Sequence, residues 1–206
     1  MRFRLRQREH RFVDQFVELA GHLVSGARLL AELLGSDQPA REAIAQRMRE
    51  EDQAVEAATH GVLRSLAGAF VTPVDRVDVY RLAWALRSCS REIDAVIDQV
   101  ALLRLGELPK AVTDQVHLIS RSADLTLGAM PRVTRMRAMS AVWVELTRLN
   151  KESGLVHRRL VAEVASTARD FQGLYRLDAV ADGLRRTMCA FEDVAHVLET
   201  IVVKES

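Results

Sequence analysis

The chain predicts an all-α fold of six long helices, and three observations lead there. Aromatic residues make up 5% of the 206 positions, with 4 Pro and 10 Gly. Strands favour aromatic and β-branched residues, so this balance tips toward helix. Apolar residues recur in alternating steps of three and four, the period of a helix with one buried face. The same apolar seam then occurs a second time, 98 residues further on.

The elements follow in order. A first helix is expected over 9–34, stopping at "GSDQP", where Gly35 can take a positive φ and Pro39 can open the next helix. A second is expected over 40–70. A third should follow Thr72 and reach about residue 105. There Thr72 can cap the backbone N–H of Asp75, Pro73 fits the first turn, and Asp75 can answer as the reciprocal group of a capping box. Asp78 adds negative charge near the positive helix end. Gly106 and Pro109 separate this helix from a fourth over 110–129. Pro131 is expected to open a fifth, to about 168, and the sixth should run from about 177, or slightly earlier, to 203.

The repeat is specific. In the third helix the seam is Val79, Leu82, Leu86, Cys89, Ile93, Val96, Val100 and Leu103. Adding 98 gives Leu177, Val180, Leu184, Thr187, Phe191, Val194, Leu198 and Ile201, in the sixth helix. The second helix behaves alike: Met48, Asp52, Val55, Thr59, Val62 and Leu66 become Leu146, Asn150, Ser153, His157, Leu160 and Val164 in the fifth. The three–four steps suit helices packed nearly parallel to their neighbours. One offset across two helix pairs argues for a duplicated three-helix unit, 1–106 and 107–206, within one compact domain. Packing alone requires such seams, so the duplication speaks to fold and not to function.

Charged residues are 28% and the net charge is +1, which gives no global reason to expect nucleic acid or an acidic substrate. Cys89 and Cys189 form no CxxC and read as reduced, buried thiols of a cytosolic protein. The opening "MRFRLRQREHR" has no apolar stretch of a secretory signal behind it, and no apolar run has the length of a membrane span. No HExxH, nucleophile elbow or Gly-rich phosphate loop occurs, so no catalytic constellation is read. The opening does place Arg2, Arg4, Arg6, Arg8 and Arg11 in eleven residues. Such a basic arm is either a solvated lead-in or a contact for an acidic partner or an anionic membrane surface, weak and salt-sensitive. Without a second basic run or an aromatic ladder, it argues against nucleic acid.

Asp52 occupies a seam position, with Glu56 and His60 one and two turns further along the same face. Carboxylate and imidazole suit divalent metals, provided the facing helix adds ligands. At that depth the third helix offers Arg87, Ser88 and Arg91. A guanidinium cannot ligate a cation, but it pairs with carboxylates. The expectation is an ion-pair cluster of Asp52, Glu56, Arg87 and Arg91 in place of a metal, with Asp52, Glu56 and His60 as the residual metal candidates. The second half offers Asn150, Gly154, Arg185 and Cys189 at the matching positions, which cannot form a carboxylate metal cluster.

These residues also carry a resemblance. "AFVTPVDRVDVYRLAWAL" resembles the F-[IV]-T-P-x-D-R-E-D-[IV]-Y-x-L-A-x-x-L signature of the PhoU-like accessory proteins of Pit-type phosphate transporters (domain-of-unknown-function family forty-seven), in its actinobacterial branch. "MRFRL", "LPKAV", "VHRRLVAEV" and "FEDVAHVLETIVVKES" match in the same order along the chain. The resemblance implies two PhoU-like three-helix units and a cytosolic, non-enzymatic accessory or regulatory protein of a phosphate transporter, at most peripheral to the inner face of the membrane. It implies no cofactor beyond a divalent metal, held in the family by acidic rows. Here the second-helix row is Asp52 and Glu56. The third-helix row is Arg87, Ser88 and Arg91, the fifth Asn150 and Gly154, and the sixth Arg185 or Arg186 with Cys189. The signature's D-R-E-D stands as Asp75, Arg76, Val77 and Asp78. The chain reads as a divergent member. A metal-binding bundle and an arginine-armed nucleic-acid regulator are the alternative functions, and a homo-oligomer is compatible with any of them.

Overall fold

The computed structural model describes residues 2–72, 74–106, 108–168 and 170–204, with side chains described from residue 11 onward except at 136–138 and 167. Among the described residues the elements are α1 (Arg2–Leu34), α2 (Gln38–Ala67), α3 (Arg76–Leu102), α4 (Lys110–Ala129), a 3-10 turn (Met130–Arg132), α5 (Met136–Thr167) and α6 (Phe171–Lys204), with no strand. The expected all-α, six-helix class is what is found. α2 packs on α3 and α5 on α6. α1 packs on α2 and α4 on α5. Further contacts tie the halves together: α1 against α4 and the 3-10 turn, and α3 against α6.

The seams lie where the periodicity puts them. Val79, Leu82, Leu86, Cys89, Ile93 and Val96 are fully buried, and so are Leu184, Val194 and Leu198 on α6. A fully buried Leu or Ile is worth roughly 1.5–3 kcal/mol over an exposed one, so these faces dominate the stability of the bundle. Burial raises the Cys89 thiol well above its ordinary pKa, with Asp193 adding to the effect, which keeps it inert. α3 and α6 approach closely at Gly183. A Cβ built there would stand 2.8 Å from Gln99 Oε1 and 2.9 Å from Val96 Cγ2, so any side chain would push the helices apart.

Helix ends differ from expectation in three places. No glycine among the described residues has positive φ, Gly35 included. α1 is closed instead by Ser36, whose N–H reaches Leu33 O and whose hydroxyl donates to Glu32 O at 2.8 Å. Asp37 then caps α2 by accepting from Ala40 N–H, and Pro39 sits in its first turn. α3 does not start after Thr72. Asp75 is its cap, accepting from Val77 N–H at 2.8 Å, while the Thr72 hydroxyl donates to Val74 O. The carboxylate competes better than a hydroxyl for the free N–H groups, and the hydroxyl is left to shape the approach. Pro73 lies outside the described residues. Pro131 belongs to the 3-10 turn, and α5 begins only at Met136.

The signature stretch holds the fold together. Arg76 donates to Ala69 O and Leu66 O, both at 2.7 Å, satisfying the open carbonyls at the end of α2. Asp78, 1% exposed, receives Lys204 Nζ at 3.0 and 2.8 Å, which fastens the end of α6 to the start of α3.

Candidate functional site

α2 and α3 run antiparallel, and their polar edges meet in a ladder. Arg49 pairs with Asp98 at 2.8 Å, the Ser90 hydroxyl donates to Asp52 Oδ1 at 3.2 Å, and Arg87 Nη2 meets Glu56 Oε1 at 3.2 Å. Ser90 is buried and Asp52 half-buried, so the Asp52 carboxylate has one fixed partner at the rim of the core. The Arg87 side chain is 14% exposed and its Glu56 partner 49%. The guanidinium carbon lies 5.8 Å from the centroid of the Trp84 ring, which is 6.1 Å from that of Tyr80, so an Arg–Trp–Tyr column runs along α3. One Arg87 nitrogen, Nη1, is buried with no hydrogen-bond partner.

The expected cluster is thus brought together only in part. Arg87 reaches Glu56, but Asp52 is taken by Ser90, a residue the sequence reading passed over. Arg91 is exposed and makes no ion pair among the described residues. It follows Ser90 and is level with Asp52, but one residue is about 100° around the helix, which turns its side chain out to solvent. Asp52, Glu56 and His60 do not converge either. Glu56 and His60 are exposed, and no three His, Cys, Asp or Glu side chains among the described residues are placed to hold a metal. A serine hydroxyl and a guanidinium stand across from the two acids, so this donor set does not fit a carboxylate-held metal.

The charge that matters next to Asp52 is Asp94, which the sequence reading also missed. It is half-buried, and its Oδ1 is buried without a partner. Burial first, then the neighbouring Asp98 and Asp52, push its pKa up to about 6, against the pull of Arg49. Asp94 and Asp98 are one turn apart on α3, one turn beyond Arg91. The antiparallel register of the two seams was the signal that would have placed them beside Arg49 and Asp52.

In the other half, Asn150 and Gly154 carry no charge, and the charges gather on α6. Arg185 pairs with Asp182 at 2.8 Å. Arg186 pairs with Asp182 and bridges to Glu92 of α3 at 3.1 Å. Cys189 is exposed, not buried as expected, with Arg185 Nη1 at 3.9 Å. Its seam neighbour Met188 takes the inward place. His157 is half-buried with Nδ1 unpartnered. Burial and Arg185 lower its pKa, opposed by Asp182 and Asp178.

The side chains of Arg2, Arg4, Arg6 and Arg8 lie outside the described residues. Arg11 is exposed. A groove between α1 and α2 is lined by charged groups that pair with each other, His22 Nδ1 with Glu51 at 2.7 Å and Arg47 with Glu32 at 2.9 Å.

No protein-family model matches the chain. A protein of Rhizobium meliloti (strain 1021), named "Putative pit accessory protein", is 25% identical over 217 residues, spanning 98% of this chain and 96% of its own. The crystal structure of a PhoU-like protein from Shewanella oneidensis MR-1 matches with a TM-score of 0.72 at 14% identity, over 94% of this chain and 99% of the other. The fold is PhoU-like. The resemblance carried by the signature stretch therefore holds over nearly the full length. At 14% identity the PhoU-like frame is what the two structures share, and the α2–α3 ladder is described for this chain alone. No helix of the described PhoU-like frame is long and apolar enough to cross a membrane.

Proposed function

We propose that this chain is a non-enzymatic accessory or regulatory protein of a Pit-type phosphate, or related inorganic-ion, transporter, acting at the cytosolic face of the membrane. The observation that carries this reading is the near full-length similarity to a protein named for a Pit accessory role, on a PhoU-like fold. We also read the chain as two three-helix units, 1–106 and 107–206. Each α1–α2 and α2–α3 contact has its counterpart in α4–α5 and α5–α6, while α1 meets α4 and α3 meets α6. In the same reading the Arg87–Glu56 pair stands in for a metal's charge.

Co-purification from membranes with the Pit-type transporter of the same genome tests the role, with phosphate uptake measured in a strain lacking the protein. Association together with an altered uptake rate is expected. Unchanged uptake and no association would refute the reading. Elemental analysis of the purified protein tests the metal substitution, and one tightly held divalent ion per chain would overturn it.

A further inference from the structure

Among the described residues, nothing covers one face of α3. Val77, Tyr80 and Trp84 are 51%, 49% and 38% exposed, and Phe70 at the turn before the helix is 97% exposed, beside Val71. At 100° per residue, positions 77, 80, 81, 84 and 91 share one stripe, which extends for about 21 Å. Four arginines lie on α3 between Arg76 and Arg91, and the only carboxylate of that stretch, Asp78, is buried against Lys204. Arg81 and Arg91 on the stripe, and Arg64 in the last turn of α2, are exposed and make no ion pair among the described residues. The face is therefore aromatic and positively charged at once.

We propose that this α3 face, with Phe70 and Val71 at its end, docks on an anionic lipid bilayer. The sign of the uncompensated charge selects an anionic surface. Tyr and Trp rings, apolar in body and polar at one edge, suit the headgroup layer, and the protruding Phe70 suits shallow insertion. The face is a ridge along one helix, a shape that sinks into a soft surface, whereas grooves lie between α1 and α2, between α4 and α5, and where the α1–α2 turn meets the segment after α3. Gln15 of α1 donates to Ser65 near the end of α2, so exposed Arg11 sits at the same end of the bundle as Phe70. The opposite tip provides an internal contrast. Phe171 and Tyr175 are also exposed, 79% and 65%, but Asp170 precedes the first and Asp178 follows the second by one turn, with Arg176 as the neighbouring base. The proposal rests on the transporter reading only for why a bilayer is at hand.

The test is co-sedimentation of the full chain with phosphatidylcholine vesicles containing about one-third phosphatidylglycerol, at low salt, with tryptophan emission read in parallel. Binding with a blue shift is expected, and the shift should vanish in Trp84→Phe. Arg81→Gln with Arg91→Gln should weaken partition about tenfold or more. Phe70→Ala with Trp84→Ala should weaken it comparably, whereas Phe171→Ala with Tyr175→Ala should not. All these positions are exposed, so circular dichroism should be unchanged. No binding by the intact chain, equal loss from the opposite tip, or loss only on removing residues 1–8 would overturn the proposal. So would tight capture of polyglutamate by this face with no vesicle binding, which would make the partner an acidic protein. The vesicles contain no transporter, so this result and the co-purification result can fail independently.

Discussion

The α2–α3 and α5–α6 interfaces are built on seams 98 residues apart and solve the same packing problem, yet their polar edges differ in kind. α2 and α3 are joined across the interface by Arg49–Asp98, Ser90–Asp52 and Arg87–Glu56. At α5–α6 the matching α5 positions are Asn150 and Gly154, and Arg185 turns to Asp182 on its own helix. The difference teaches that burial of the seam fixes the fold, while the rim is free to vary. It also predicts opposite responses to acid: Asp94 is a carboxyl held partly protonated by its surroundings, and His157 an imidazole held neutral.

The largest effects should come where the interfaces agree. Leu86→Ala and Leu184→Ala, both fully buried and 98 apart, should each cost roughly 2–5 kcal/mol in urea unfolding. A cost below about 1 kcal/mol at either site would break the equivalence of the seams. Next comes the place where the seams diverge. The counterpart of buried Ala85 is Gly183, and Gly183→Ala should destabilise by about 1–3 kcal/mol because the new methyl meets Val96 and Gln99. Stabilisation instead would mean that α3 and α6 can separate without loss.

Smaller effects probe the rims. Arg87→Ala should cost about 1 kcal/mol, and a double-mutant cycle with Glu56→Gln should return a coupling of about 0.5–1 kcal/mol. The α6 pair Arg185–Asp182 lies within one helix and exposed, so the same cycle there should give no more than about 0.5 kcal/mol. Equal couplings would remove the contrast between a bridging and a local pair.

The pH responses are of the same small size. The folded Asp94 carboxyl holds its proton more tightly than the unfolded one, whose ordinary value is 3.8. Its cost is therefore absent at low pH and develops as pH rises from about 4 through about 6. Asp94→Asn should stabilise the protein by about 1 kcal/mol at neutral pH, a figure reduced for its partial exposure to water, and by nothing near pH 4. His157 runs the other way: its stability contribution is intact above the ordinary value of 6.5 and is lost as pH falls below it, so His157→Gln should flatten the acid limb of the stability curve. Thermal melts across pH 4–8 would read both.

Much of the site was out of reach of pattern reading. Arg87 opposite Glu56 could be anticipated, because helix periodicity assigns both to facing edges. Arg91 reaches the depth of Asp52 by spacing, but its position around the helix, one residue past buried Ser90, carries it into solvent. Asp94 and Asp98 are not legible as partners of α2 from spacing, because antiparallel packing sets the register by how apolar side chains interlock. Thr72 is the cap by pattern, with Asp75 as its reciprocal group, and only the structure, with Val74 and Asp78 buried, makes Asp75 the cap.

By itself the sequence determined the all-α class, the six helices and the residues of the two buried seams. Those follow from local propensity and from a period that apolar burial imposes at every turn. Only the tertiary structure decided that Ser90 takes Asp52, that Arg76 and Lys204 clasp α2 and α6 to the start of α3, and that Cys189 faces outward. Those contacts depend on ångström-scale register between helices distant in sequence, where a polar group's partner is whichever group packing brings within about 3 Å.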